Sequence, residues 1–156
     1  MRKFEKINII QFKKDIKNMN YENYNCPKRS TLNSAGYDFE ALEDYIIKPN
    51  EIKKIPTGIK VVMNRDEMLM LVVRSSMGFK YNVRLCNQVG IIESDYYNNP
   101  SNDGHMWVAL QNQGEKDYII KKGDKFVQGI FVKFLTVDNE EEILEKRVGG
   151  FGSTSV

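Results

Sequence analysis

An all-β sandwich, jelly roll or barrel with one short N-terminal helix is the fold this sequence predicts. Short runs rich in Val, Ile, Leu and aromatics recur at residues 59–63, 68–73, 107–110 and 126–134. Turn signals separate such runs: Lys48-Pro49-Asn50, Pro56-Thr57-Gly58, Asn64-Arg65-Asp66, Asn99 to Gly104, and Lys121-Lys122-Gly123-Asp124. Many short strands with closely spaced turns close into sandwiches and barrels. The 156 residues carry no internal repeat and no dividing linker, so they form one domain able to bury a sizeable core.

The helix is expected over residues 9–20. There Ile9, Phe12 and Ile16 fall at helical spacing and lysines fill the opposite face. Its expected job is packing. The strands follow, up to an acidic connector at residues 138–146 that reads as a solvated bridge. The β domain is thus placed at residues 1–146, and a glycine-rich arm at 147–156 ends the chain.

Bulk properties exclude several classes. Hydrophobic content of 41% and charged content of 28% are those of a globular protein. A net charge of +2 is too small to make nucleic acid or an anionic membrane the main partner. No apolar run approaches the ~20 residues a membrane span needs, and no signal-peptide apolar region follows Met1-Arg2-Lys3. Cys26 and Cys86 are lone and distant. They read as reduced structural thiols of a cytoplasmic protein. With His105 the single histidine, a His-based triad or a multi-His zinc site lacks material.

Five segments interrupt the strand pattern with polar or glycine residues. Ser34-Ala35-Gly36-Tyr37-Asp38 sets small residues before an acid that begins an apparent strand. Asp38 reads either as a turn residue or as a carboxylate holding Mg²⁺ through water, since Mg²⁺ dehydrates reluctantly. Arg74-Ser75-Ser76-Met77-Gly78 follows an apolar run. It offers a forked cation, two hydroxyls and a glycine, the parts of a phosphate cradle; a turn into a helix start is the plainer reading. The third segment, Asn87 to Tyr97, joins an amide suited to a base edge with Glu93 and Asp95. Acids two apart on a strand share a face, and one could orient a water. Gly123-Asp124-Lys125-Phe126-Val127-Gln128 is a turn into a strand with a lone Gln. The arm, Arg147-Val148-Gly149-Gly150-Phe151-Gly152-Ser153-Thr154, sets one aromatic among glycines and hydroxyls. It is either a disordered end or a lid with a ring for a base and N–H and O–H donors for phosphate.

Taken in order, Ala-Gly-Tyr-Asp, Arg-Ser-Ser-x-Gly, Gly-Ile-Ile-x-Ser-Asp-Tyr, Gly-Asp-x-x-x-Gln and Gly-Gly-Phe-Gly-Ser-Thr resemble the motifs of the trimeric dUTP diphosphatase (dUTPase) family. The resemblance runs from about Lys28 to the C-terminus. It implies a jelly-roll or distorted β-barrel homotrimer with active sites shared among subunits. The implied reaction is hydrolysis of dUTP to dUMP and pyrophosphate with Mg²⁺, which keeps uracil out of DNA and supplies the thymidylate precursor. On this resemblance Asp38 belongs to the water-coordinated Mg²⁺–triphosphate. Arg74, Ser75, Ser76, Gly78, Gln128 and Arg147 would hold phosphate oxygens. Asn87 and the backbone of Gly90, Ile91 and Ile92 would meet uracil. Tyr96 would pack under the deoxyribose and leave no room for a 2′-hydroxyl. Phe151 would stack on the base while Gly152, Ser153 and Thr154 close on the γ-phosphate.

Three features depart from the family pattern. Glu93 stands where the family's water-activating residue is usually Asp. The extra methylene moves the carboxylate by on the order of 1 Å, a displacement that can cost ~10²-fold in rate. A weakly active or inactive dUTP-binding protein is therefore the alternative reading. Residues 97–105 replace a shorter turn that usually begins Arg-Gly, and read as a surface loop with His105 an exposed bystander. Lys146 stands five residues before Phe151, where many members have Arg, and Arg147 lies one residue closer. A deaminase of related fold would need an acid in residues 107–112, and Trp107-Val108-Ala109-Leu110-Gln111-Asn112 has none.

Overall fold

Antiparallel strands of four sheets build the chain. The computed structural model describes residues 1–145 and 147–150. The central five-stranded sheet has the order β2 (Lys28–Arg29), β3 (Tyr37–Glu40), β12 (Lys125–Lys133), β7 (Glu67–Val72), β9 (Gly90–Glu93). A second sheet orders β5 (Ile52–Pro56), β10 (Trp107–Asn112) and β8 (Val83–Leu85). Two pairs complete the set: β1 (Lys3–Lys6) with β6 (Ile59–Val62), and β4 (Tyr45–Ile47) with β11 (Tyr118–Ile120). Chain neighbours repeatedly join different sheets, as in a jelly roll. The expected all-β class is thus what the chain adopts.

Alternation drives the strands inward. In β7, Glu67, Leu69 and Leu71 are buried while Met68, Met70 and Val72 are half-buried. In β10, Val108, Leu110 and Asn112 point in. Leu69, Leu71, Phe39, Val127, Ile55, Leu110, Ile59 and Ile47, drawn from all four sheets, meet in one apolar core. The polar member of β10 is fully satisfied: Asn112 Nδ2 donates to the carbonyls of Ile47 (2.7 Å) and Lys116 (2.8 Å), and its Oδ1 accepts from Gly114 N–H.

The N-terminal helix is shorter than expected. Helix α1 spans Ile9–Asp15, with Asn8 capping it by accepting from Gln11 N–H, and Ile16 already extended at φ −126°. Weak helix formers follow, Asn18 and Asn20, and Asn20 caps a separate 3-10 turn at Tyr21–Asn23. Phe12 and Ile16 are buried as expected, but Ile9 is exposed. Phe12 stacks on Tyr24 at 5.4 Å between ring centres, so α1 does pack on the barrel.

His105 overturns its expectation outright: it is 0% exposed. Gly58 N–H donates to Nε2 (2.9 Å), so the ring proton sits on Nδ1, which donates to Asp15 Oδ2 (2.6 Å). Burial pushes the imidazole pKa below its ordinary value against the opposing pull of Asp15 and Asp103. Loop 97–105 does expose Asn98, Pro100 and Ser101, as a surface loop would, but it is firmly anchored. Lys60 Nζ, nearly buried, bonds Asn98 Oδ1 (2.6 Å) and Asp103 Oδ1 (3.0 Å), while Asn8 N–H donates to Asp103 Oδ2 (2.7 Å). The loop, α1 and the turn between β5 and β6 are therefore one hydrogen-bonded unit.

Cys26 and Cys86 are free thiols, and burial raises the Cys26 pKa. No helix among the described residues is long and apolar enough to cross a membrane. The connector at 138–145 is exposed and carries no helix or strand, in line with its reading as a solvated bridge.

Candidate active site

Register puts the first half of the site together. Asp38 of β3 and Val72 of β7 both stand opposite Gln128 of β12, so the three strands bring Asp38, Gln128 and the residues after Val72 to one place. Helix α2 (Ser75–Tyr81) starts directly after β7, with Arg74 as its N-cap residue. The plainer reading of this segment holds, a turn into a helix start, and the segment also lines a cavity of about 350 Å³ with Ser30, Gly36, Asp38 and Gln128.

Positive charge surrounds a buried acid there. Asp38 accepts from Ser30 Oγ (2.5 Å) and lies 3.3 Å from Arg74 Nε and 3.2 Å from Lys125 Nζ. Lys125 also reaches Ser30 Oγ at 2.6 Å. Ser75 and Ser76 are exposed. Gln128 Nε2 donates to Val73 C=O (3.3 Å), and its side chain lies so close to Gly36 that a Cβ there would meet Gln128 Oε1 at 2.1 Å. Gly36 thus makes room for Gln128. At Gly78 an added Cβ would meet nothing within 4 Å, so the chain's own packing does not require that glycine.

The second half is a larger, more apolar pocket of about 550 Å³. The link from β8 to β9 crosses between two sheets and forms its rim, with Asn87 exposed in a turn where Gln88 takes φ +62°. Gly90 is buried opposite Leu71, and a Cβ there would press on the Leu71 side chain at 3.1 Å. Ile91 is exposed and Ile92 half-buried. Tyr96 is buried at the pocket wall beside Trp107. Strand β9 ends at Glu93, and Asp95 sits in a 3-10 turn, so the two acids are not strand neighbours as expected. They still converge: Arg147 Nη2 lies 3.0 Å from Glu93 Oε2, and Arg147 Nε 3.3 Å from Asp95 Oδ1. Arg147 therefore stands with the third-segment acids and lines this pocket rather than the Ser75–Ser76 cavity. Gly150 passes the Tyr96 ring closely enough that a Cβ would lie 3.2 Å from it.

Lys146, Phe151, Gly152, Ser153 and Thr154 lie outside the described residues. Sequence reasoning missed Lys125 and Ser30. Lys125 stands inside the segment already singled out by Gly123 and Gln128, whereas Ser30 carries no motif and is found only through the pairing of β2 with β3. Among the described residues no three or more His, Cys, Asp or Glu side chains cluster to hold a metal.

One chain thus holds an apolar pocket with a carboxylate at its wall and a cationic, hydroxyl-lined cavity, and the linings share no residue. Comparison with known proteins adds the kinship. A deoxyuridine 5'-triphosphate nucleotidohydrolase from Lactococcus lactis is 50% identical over 131 residues, covering 83% of this chain and 87% of that protein. One of the same name from Desulfitobacterium hafniense is 35% identical over 138 residues, with 83% and 87% covered. The crystal structure of dUTPase from Streptococcus mutans superposes with a TM-score of 0.72 at 38% identity, over 87% of this chain and 98% of that one. Residues 22–155 match the dUTPase family as a whole, and the chain belongs to that family.

Proposed function

We propose that this chain hydrolyses dUTP to dUMP and pyrophosphate as a cytoplasmic homotrimer whose active sites are shared between subunits. The observation that carries the shared site is the division of the two linings. A base-and-sugar pocket and a phosphate cavity that share no residue within one chain can join across a subunit boundary. Such a trimer keeps uracil out of DNA and supplies dUMP for thymidylate synthesis.

Each part has a physical task. Asn87 and the backbone of Gly90, Ile91 and Ile92 present donors and acceptors to the uracil edge, a pattern that cytosine would mismatch. Tyr96 lies under the deoxyribose. Arg74, Ser75, Ser76 and Gln128 take phosphate oxygens, and Gly78 lets a phosphate approach the backbone. Phe151 stacks on the base, with Gly152, Ser153 and Thr154 closing on the γ-phosphate. Arg147 exchanges its carboxylate partners for phosphate when substrate binds, since the charge on a triphosphate outcompetes two partly exposed carboxylates.

Asp38 fits a Mg²⁺ held mostly by the triphosphate. Asp38, already paired with Arg74 (3.3 Å) and Lys125 (3.2 Å), offers too few ligands for a protein cage, so a Mg²⁺ there would be reached through water and carried by the triphosphate. When bound, Mg²⁺ spreads the triphosphate's negative charge. Glu93 orients a water for in-line attack on the α-phosphorus and takes its proton. A new P–O bond forms, the bond to the bridging oxygen breaks, and pyrophosphate leaves. Arg74 stabilises the charge that develops.

The test is pyrophosphate release from dUTP with Mg²⁺, beside dCTP, dTTP and UTP. Turnover is expected for dUTP, at least ~10²-fold above the others, and is lost with a chelator. Equal turnover on dCTP or UTP, or none on dUTP, would refute the proposal.

A further inference from the structure

Tyr96 is held at its hydroxyl by loop 97–105. Asn102 Nδ2 donates to the Tyr96 hydroxyl at 2.6 Å, and that hydroxyl lies 3.3 Å from the His105 carbonyl it donates to. The direction of the first bond is settled within the loop. Asn102 Oδ1 accepts from Gly104 N–H (3.1 Å), which leaves Nδ2 as the end facing Tyr96. The hydroxyl therefore accepts from Asn102 and spends its own proton on His105, so both of its hydrogen-bonding roles are filled.

The loop is built to hold this arrangement. Gly104 takes φ +75°, and a Cβ there would lie 2.6 Å from the Tyr96 carbonyl oxygen. Asn98 and Asp103 also have positive φ and together grip the nearly buried Lys60. His105, whose backbone carbonyl takes the Tyr96 proton, is itself locked by Asp15 and Gly58. A phenol ring gripped at its oxygen cannot recede from the pocket it lines.

We infer that Asn102 is a positioning residue for sugar selectivity: it pins the Tyr96 ring against the deoxyribose and so denies space to a 2′-hydroxyl. This rests on the reading of Tyr96 as the sugar-facing wall. A released ring would yield by a few tenths of an ångström, enough to soften the rejection of a ribose.

Asn102→Ser tests it. Serine keeps the short turn bond to Gly104 N–H but is too short to reach Tyr96. The readout is the ratio of dissociation constants for the non-hydrolysable α,β-imido analogues of UTP and dUTP, with the thermal midpoint as a check on folding. The ratio is expected to fall about fivefold in Asn102→Ser, the effect of one hydrogen bond. Tyr96→Phe, which removes the hydroxyl and with it the His105 bond as well, should fall at least as far, and the double variant no further than Tyr96→Phe. An unchanged ratio in Tyr96→Phe, or losses that add in the double variant, would overturn the inference. Tyr96→Ala separates the two levels. If it leaves the ratio intact, the wall itself is elsewhere; if it collapses the ratio while Asn102→Ser does not, only the pin is wrong.

Discussion

Glu93→Gln is expected to lower the turnover of dUTP by about 10³-fold while leaving dUTP binding within about threefold of the wild type. Gln preserves the length of the side chain and one acceptor oxygen, so a water can still be held. It removes the charge that draws the proton from that water as the α-phosphorus is attacked. Folding should not suffer. Glu93 is half-exposed, and its pair with Arg147 is of the kind that contributes at most about 1 kcal/mol. Steady-state turnover beside calorimetric binding of dUTP distinguishes this from a merely structural effect. Glu93→Asp keeps the charge and returns the carboxylate to the family's usual length, so its turnover should stand far above that of Glu93→Gln. A Glu93→Gln enzyme of near wild-type turnover would remove Glu93 from the chemistry.

The largest effect on stability is expected at His105. His105→Ala removes a fully buried ring, strands the Gly58 N–H and takes one partner from the Asp15 carboxylate, which keeps Gln11 Nε2. The cavity and the lost bonds together should cost about 3 kcal/mol, or about 10 °C in thermal midpoint for a domain of this size. The wild type should also weaken in mild acid. The folded protein keeps His105 neutral because Nε2 must accept from Gly58, and its pKa is depressed by burial. The unfolded chain takes up that proton first. Stability from this group is therefore full above about pH 6.5 and is lost as pH falls from there through the lower folded value. Thermal melts from pH 7.5 to 5 should show that decline in the wild type and less of it in His105→Ala. A pH-independent difference between the two would contradict the neutral, accepting ring.

His105 also marks where the sequence stopped being readable. Strands such as β7 and β10 announce themselves because burial alternates with the pleat, and residue chemistry alternates with it. The family was legible because glycines, hydroxyls and charges recur in a specific order along five segments. Loop 97–105 is rich in Asn, Asp and Gly, the composition of a solvated turn. Its burial comes from Asp15, 90 positions away, and from Lys60, and no local pattern carries that information. Strand β1 was missed for a related reason. Lys3-Phe4-Glu5-Lys6 is too charged to read as a strand, and is held in place by pairing with β6. The end of α1 at Asp15 reflects the pull of Ile16 into the core, a tertiary demand that helical spacing over residues 9–20 does not reveal.

Subunit mixing tests the shared site most directly. Glu93→Gln disables the base-and-sugar half, and Arg74→Ala the phosphate half, each expected to be nearly inactive alone. Denatured together and refolded one to one, the two variants should form mixed trimers in which about a quarter of sites draw an intact Glu93 and an intact Arg74 from different subunits. Recovery of about a quarter of wild-type dUTP turnover is the expected result. A mixture as inactive as its components, under conditions where refolded wild type recovers its activity and the variants are seen to exchange, would contradict an active site assembled across subunits.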